Sequence, residues 1–151
     1  MGSYIHAKYL KDNNIDVIGM INYEMIGYFT DEPDSQEYPI ETMKYIYPTI
    51  GNFIMIASNE SSTNFLEELD FDSIDKEIDS YNITLPDDLS TIIASDHLNY
   101  WSFGFNAVMI TDTAHFGNKN YHTVSDTIET IDFEKIQKSV DMVVQAVLNF
   151  K

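Results

Sequence analysis

The chain has 151 residues, 25 acidic against 8 basic, a formal net charge of −17 and no cysteine. A chain of this length can bury roughly two-thirds of its unfolded surface and reads as one domain, while zero Cys excludes disulfides, thiolate zinc sites and cysteine nucleophiles. All eight basic residues are lysines, and no basic patch interrupts the acidity, so a phosphate backbone is repelled and nucleic acid is not an expected partner.

Tyr4, Ala7, Lys8 and Leu10 stand at helical spacing and predict a leading helix over 4–11, stopped by the turn chemistry of Asp12-Asn13-Asn14. No basic n-region with an apolar core opens the chain, and no stretch has the eighteen or so apolar residues of a membrane helix, so the residues read as cytoplasmic. Residues 15–23 form a near-continuous apolar run of strand length and predict a strand buried on both faces, with the polar Asn22 and Glu24 at its end. Pro33, Pro39 and Pro48 punctuate an acidic, Ser-bearing stretch over 29–48, which reads as a long excursion of the functional kind.

Residues 52–58 predict a second buried strand. A polar helix follows from Ser61 or Ser62 to about Leu69, and residues 71–90 read as an acidic connector with Pro86 as punctuation. Ser95-Asp96-His97 reads as a helix start with Ser95 as N-cap, and Gly104 as its C′ stop. Residues 107–112 predict a third buried strand ending, like the first, in a carboxylate. Asp132 then caps a long amphipathic helix in which Ile136, Val140, Val143, Val144 and Val147 recur at three- and four-residue intervals. Helices alternating with buried strands predict the α/β class with a largely parallel sheet.

In open α/β sheets chemistry gathers beyond the carboxyl ends of the strands. Glu24, Asp112 and the loop 113–127, which holds His115 and His122, occupy that position. A His and carboxylate set without Cys suits zinc in a catalytic rather than a structural site. Strand-end acids are also common loop caps and loop histidines are often merely solvated, so spacing alone leaves both readings open.

Three ordered motifs carry a resemblance. The segment Gly19-Met20-Ile21-Asn22-Tyr23-Glu24-Met25-Ile26-Gly27, then Ser95-Asp96-His97 with Phe103-Gly104-Phe105-Asn106-Ala107, then Thr111-Asp112-Thr113 and Tyr121-His122-Thr123 followed by Ser125-Asp126-Thr127, is similar to the zinc-dependent aminopeptidases of phosphorylase/hydrolase-like α/β fold. That family includes bacterial leucyl aminopeptidases and, more distantly, glutamate carboxypeptidase and glutaminyl cyclase. The resemblance implies a three-layer sandwich, Glu24 as a ligand of one zinc, His122 as a ligand of the other, and Asp96 and His97 as outer groups that orient neighbours. Asp126 would join the same supporting network, although capping of its local turn explains it equally well.

The resemblance also implies groups that these residues do not contain in the expected order: an upstream His, a carboxylate bridging both metals, and a Glu-Glu pair supplying the general base and a further ligand. Glu67-Glu68 falls in the wrong order and reads as a solvated helix face. The chain therefore resembles the C-terminal half of a peptidase domain, through a split gene, a truncated reading frame or an expressed fragment. The expectation is weak or absent zinc binding, no peptidase activity alone, peptide as substrate only once an N-terminal half is present, and association as a homo-oligomer or with a complementing chain. The alternative is a non-catalytic binding or oligomerisation module that retains the fold. Phe116-Gly117-Asn118 stands where relatives often carry Phe-Arg-Asn, and Ile92 and Ile93 stand near the place where some carry a Tyr that steadies the oxyanion.

Overall fold

In the computed structural model, which describes residues 2–86 and 93–150, four strands hydrogen-bond in the order β1-β4-β2-β3: β1 Met20–Tyr23, β2 Ile54–Asn59, β3 Ser80–Leu85 and β4 Ala107–Thr111. β1 runs parallel to β4, with Asn22 opposite Met109, and β2 runs parallel to β3. The central β2–β4 pairing is antiparallel, with Met55 opposite Thr111. The sheet is thus mostly parallel, and its one reversal sets the carboxyl ends of β1 and β4 beside the amino end of β2.

Side chains alternate across a strand, and the two faces of this sheet are covered differently. Ile54, Ile56, Val108 and Ile110 pack on one face against Phe65, Leu66 and Leu69 of α2 (Thr63–Leu69) and Met142, Val143 and Ala146 of α4 (Phe133–Asn149). On the opposite face Ala107 meets Ala7 and Leu10 of α1 (Gly2–Asp12) and Tyr100 of α3 (His97–Ser102), with Trp101, Phe103 and Phe105 around them. The architecture is three layers, helices on sheet on helices, as the α/β reading expects.

α1 stops where expected, with Asn14 in the left-handed region at φ 51°, a conformation that Asn tolerates better than most residues. Gly104, at φ +78°, ends α3 in the same way. At the start of α4 the Asp132 carboxylate accepts the Lys135 N–H at 3.0 Å, the expected N-cap. The buried stripe of α4 is Ser139, Met142, Val143 and Ala146, while Val144 and Val147 are exposed. The buried stripe is displaced by about one residue from the one that valine spacing predicts, with small Ser139 and Ala146 among the residues that face inward.

Three expectations are corrected. The strand read as buried on both faces is only four residues long and lies at the end of the described sheet; Ile18 before it is 66% exposed, because no described strand or helix covers that side. The acidic connector contains a strand, β3, whose Tyr81, Ile83 and Leu85 alternate with polar residues; the surrounding acids and Pro86 hid a period-two signal. Ser95 does not cap α3: Asp96 holds the capping position, and the Ser95 hydroxyl is used elsewhere. Among the described residues no helix is long and apolar enough to cross a membrane.

Candidate active site

Glu24 follows directly on β1, and its N–H still joins the ladder by donating to the Ile110 carbonyl at 3.0 Å. Its carboxylate is half-buried and accepts the Ser95 hydroxyl proton at 2.5 Å. The same Ser95 oxygen accepts from Asn22 Nδ2 at 2.9 Å, and Asn22 Nδ2 also lies 3.4 Å from His97 Nδ1. A relay of polar groups, His97 to Asn22 to Ser95 to Glu24, therefore runs from the buried start of α3 to the end of β1. Such chains fix the orientation of the terminal acid, because each group has its partner already in place.

His97 is fully buried, its ring edge-on to Trp101 at 4.4 Å, and its Nε2 has no hydrogen-bond partner. Burial pulls its pKa down from 6.5 to about 4, with the nearby Asp96 charge opposing the shift, so the ring is neutral at pH 7. Asp96 itself is exposed and accepts the Ser3 hydroxyl proton at 2.6 Å, while Asn99 donates to the same Ser3 oxygen at 2.8 Å. Asp96 clasps α1 to α3, at one remove from the relay.

Glu24 opens onto a cleft of about 260 Å³ whose floor is the sheet face carrying Met55, Ala57, Ile83 and Met109. Two loops wall it. The Pro-punctuated excursion and the loop after β4 are joined by Gln36, which is 6% exposed and exchanges hydrogen bonds with the Thr113 hydroxyl at 2.9 and 3.0 Å. The Glu37 N–H donates to the Phe116 carbonyl at 2.8 Å, and Lys119 pairs with Glu37 at the surface. No motif marks Gln36 in the sequence; only its place within the excursion points to it. The lining is mainly apolar side chains with few polar groups, the composition of a small-molecule or side-chain pocket.

His115 and Tyr121 line this cleft and lie against one another at 5.7 Å, and His115 is exposed. His122 stacks on Tyr121 at 3.9 Å, is exposed, and has left-handed backbone at φ 58°. Asp126 accepts from Asn118 Nδ2 at 3.3 Å, and the buried Asn118 in turn accepts the Asn120 N–H at 2.8 Å; Asp126 therefore braces the loop that carries His122. Ile93 lines the cleft, whereas Ile92 lies outside the described residues. Among the described residues no three His, Asp or Glu side chains converge on one point. A catalytic zinc keeps three protein ligands, so the donors that the described residues bring together do not by themselves fit one.

Comparison with known proteins supplies the context. Residues 1–147 match the model of peptidase family M28. The chain is 36% identical over 152 residues to the uncharacterized protein YfbL of Escherichia coli (strain K12), covering 100% of this chain and 46% of that protein. The fold is similar to that of the Legionella pneumophila LapA aminopeptidase, with a TM-score of 0.67 at 14% identity over 99% of this chain and 35% of that one. It is similar also to the aminopeptidase from Aneurinibacillus sp. strain AM-1, with a TM-score of 0.63 at 21% identity over 99% of this chain and 30% of that one. The chain spans less than half the length of each of these proteins.

Proposed function

The chain belongs to peptidase family M28, and from that premise we propose that it forms one wall of an aminopeptidase site: the Glu24 ligand position, its orienting relay, and the cleft for the side chain of a substrate's first residue. The observation that carries this reading is the Glu24 carboxylate held by Ser95 at 2.5 Å at the mouth of an apolar cleft. By their resemblance to the family's motifs Glu24 and His122 would serve as two of its zinc ligands, with further donors and a general base supplied from elsewhere in an M28 domain. No catalytic step is assigned to this chain alone. Its own residues position an acid and offer a pocket whose apolar floor favours Leu, Met or Phe over charged side chains, since a buried unpaired charge is costly.

Amino-acid release from a panel of aminoacyl anilides tests the reading, with zinc added, for the chain alone and for the chain co-expressed with an M28 N-terminal half carrying the His-x-Asp and Glu-Glu segments. The expected result is no turnover by the chain alone, and turnover by the complemented protein that prefers apolar first residues and is lost in Glu24→Gln. Turnover by the chain alone, abolished by chelator and by His122→Ala, overturns it.

A further inference from the structure

Two consecutive residues beside the cleft hold a backbone conformation that side chains rarely adopt. Thr113 has φ 76° and Ala114 φ 50°, and for a β-branched residue such as Thr the left-handed region is an outlier that its surroundings must enforce. The Thr111 hydroxyl and the Asp112 carboxylate accept the Thr113 and Ala114 N–H groups, both at 3.0 Å. Beyond this pair the loop is braced within itself. The Ala114 carbonyl accepts the Gly117 and Asn118 N–H groups at 3.1 and 2.7 Å, and the Asn118 side chain, 1% exposed, joins Asn120 and Asp126. A strained pair at the foot of a braced loop is a hinge under a stiff arm, and the arm carries His115 and Phe116 of the cleft wall.

Resting on the proposed function above, we propose that Gln36 is a positioning residue of the cleft: it latches this arm to the Pro-punctuated excursion and so preforms the wall against which an apolar substrate side chain packs. The amide engages the hinge itself, since Nε2 donates to Thr113 Oγ1 at 2.9 Å and the Thr113 hydroxyl donates to Oε1 at 3.0 Å. Nε2 also donates to the Glu37 carbonyl at 2.7 Å, and the Gln36 N–H to the Thr49 carbonyl at 3.0 Å, which fix the latch to its own loop. One residue on, the bond from the Glu37 N–H to the Phe116 carbonyl closes the seam. Gly117 makes room for the latch: a Cβ there would lie 2.9 Å from Thr113 Oγ1 and 3.1 Å from the Asp112 carbonyl oxygen, closer than a side chain tolerates. Gln36 therefore acts through the wall rather than on the reacting atoms. A wall set in advance removes the ordering cost that binding would otherwise meet.

The test uses the chain itself, read by amide hydrogen exchange, by thermal melting and by titration with isocaproamide, a neutral probe bearing the leucine side chain, against isotope-labelled methionine methyls. Met55 and Met109 line the cleft, and Met142 in the core on the opposite face is the control. In Gln36→Ala, exchange of the Glu37 amide should quicken at least about tenfold relative to that of Val143. Affinity for the probe should fall about fivefold or more, as the preformed wall becomes the minor state. The melting temperature should move by less than about 3 °C, because the latch joins loops outside the core. Gly117→Ala, which pushes the Thr113 hydroxyl aside, should reproduce these changes and carries the expectation should Gln36→Ala fail to fold. Thr113→Ser keeps the hydroxyl and should hold exchange and affinity near wild type. Unchanged Glu37 exchange in both Gln36→Ala and Gly117→Ala overturns the proposal, as does faster exchange with unchanged affinity or a loss of affinity that Thr113→Ser shares. The two readings fail separately: a probe bound alike by wild type and variants overturns the latch alone, and probe affinity that follows the latch in a chain whose completed form has no peptidase activity overturns the proposed function alone. No response of Met55 and Met109 in wild type overturns both.

Discussion

β1 and β4 lie side by side, run the same way and lead into a carboxylate each, yet the two acids are used in opposite ways. Asp112, 4% exposed, accepts the N–H groups of Gly27 and Tyr28 at 2.9 and 2.8 Å through one oxygen and that of Ala114 at 3.0 Å through the other. Its own N–H donates to the Met25 carbonyl at 2.6 Å, and Met25 has left-handed backbone at φ 53°. Burial holds the Asp112 carboxyl above its ordinary value, and the three N–H donors offset that rise only in part. Asp112 thus fastens the exits of the two strands and holds Met25 in a conformation that costs an ordinary residue roughly 1–2 kcal/mol. Glu24 is only half-buried, meets one hydroxyl, and opens onto the cleft. A strand-end acid whose oxygens are consumed by backbone donors is scaffold; one with an unclaimed oxygen at a cleft is available for chemistry.

The largest effect should come from Asp112→Ala, which leaves three backbone donors without their acceptor. At roughly 1 kcal/mol or a little more for each part-buried hydrogen bond lost to a carboxylate, a loss of about 3–4 kcal/mol is expected in urea unfolding. A loss below about 1 kcal/mol, within the range of ordinary surface changes, would erase the distinction from Glu24.

Next is the pH dependence carried by His97. The unfolded chain binds a proton at this residue near pH 6.5, whereas the buried ring resists until about 4. The unfolded state therefore binds more protons between those values, and stability falls as pH drops through that window, by roughly 3 kcal/mol in total. His97→Phe keeps an aromatic ring against Trp101 without a titrating nitrogen, so the difference in stability between wild type and variant should change between pH 7 and pH 4. A pH-independent difference would show that the ring protonates as freely in the folded protein as in the unfolded chain.

Much of this comparison was legible in the sequence. Two apolar runs ending in acids, Gly104 as a helix stop and Asp132 as a cap are local signals, and the structure carries each of them out. What local pattern could not show is how an acid is used. Asp112 and Glu24 read alike because their partners come from residues far off in sequence: Gly27 and Tyr28, 85 and 84 positions away, for the first, and Ser95, 71 positions away, for the second. Ser95 read as a cap for the same reason, since Ser before a helix start usually bonds its own first turn. β3 was concealed by its acidic surroundings, and the exposure of β1 depends on which strands flank it, which no window of its own residues records. Gln36 had no motif, only an address within the long excursion.

Asp132 calibrates the scale between the two strand-end acids, because its carboxylate accepts a single backbone N–H, from Lys135, at a half-buried helix start. Asp132→Ala should cost about 1 kcal/mol, well under Asp112→Ala, and Asp132→Ser should recover most of it. Equal losses for Asp112 and Asp132 in the same unfolding assay would mean that the number of donors does not set the cost.

Glu24→Gln should have the smallest effect on stability and the largest on function. The amide retains an oxygen to accept the Ser95 proton and fills the same volume, so the fold should change by no more than about 0.5 kcal/mol, the range of substitutions outside the core. The lost property is the negative charge, which a hard or borderline cation requires of an oxygen ligand. In the complemented protein, zinc affinity measured by competition with a chelator should therefore fall by roughly a hundredfold, on the scale of a damaged metal site. Urea unfolding and zinc titration on the same variant separate the roles. A destabilisation above about 2 kcal/mol, the cost of stripping the acceptor from a buried donor, would place Glu24 with Asp112 as scaffold. A stable fold with weakened zinc binding would keep the acids apart, Asp112 occupied by three backbone donors and Glu24 with an oxygen left for a ligand.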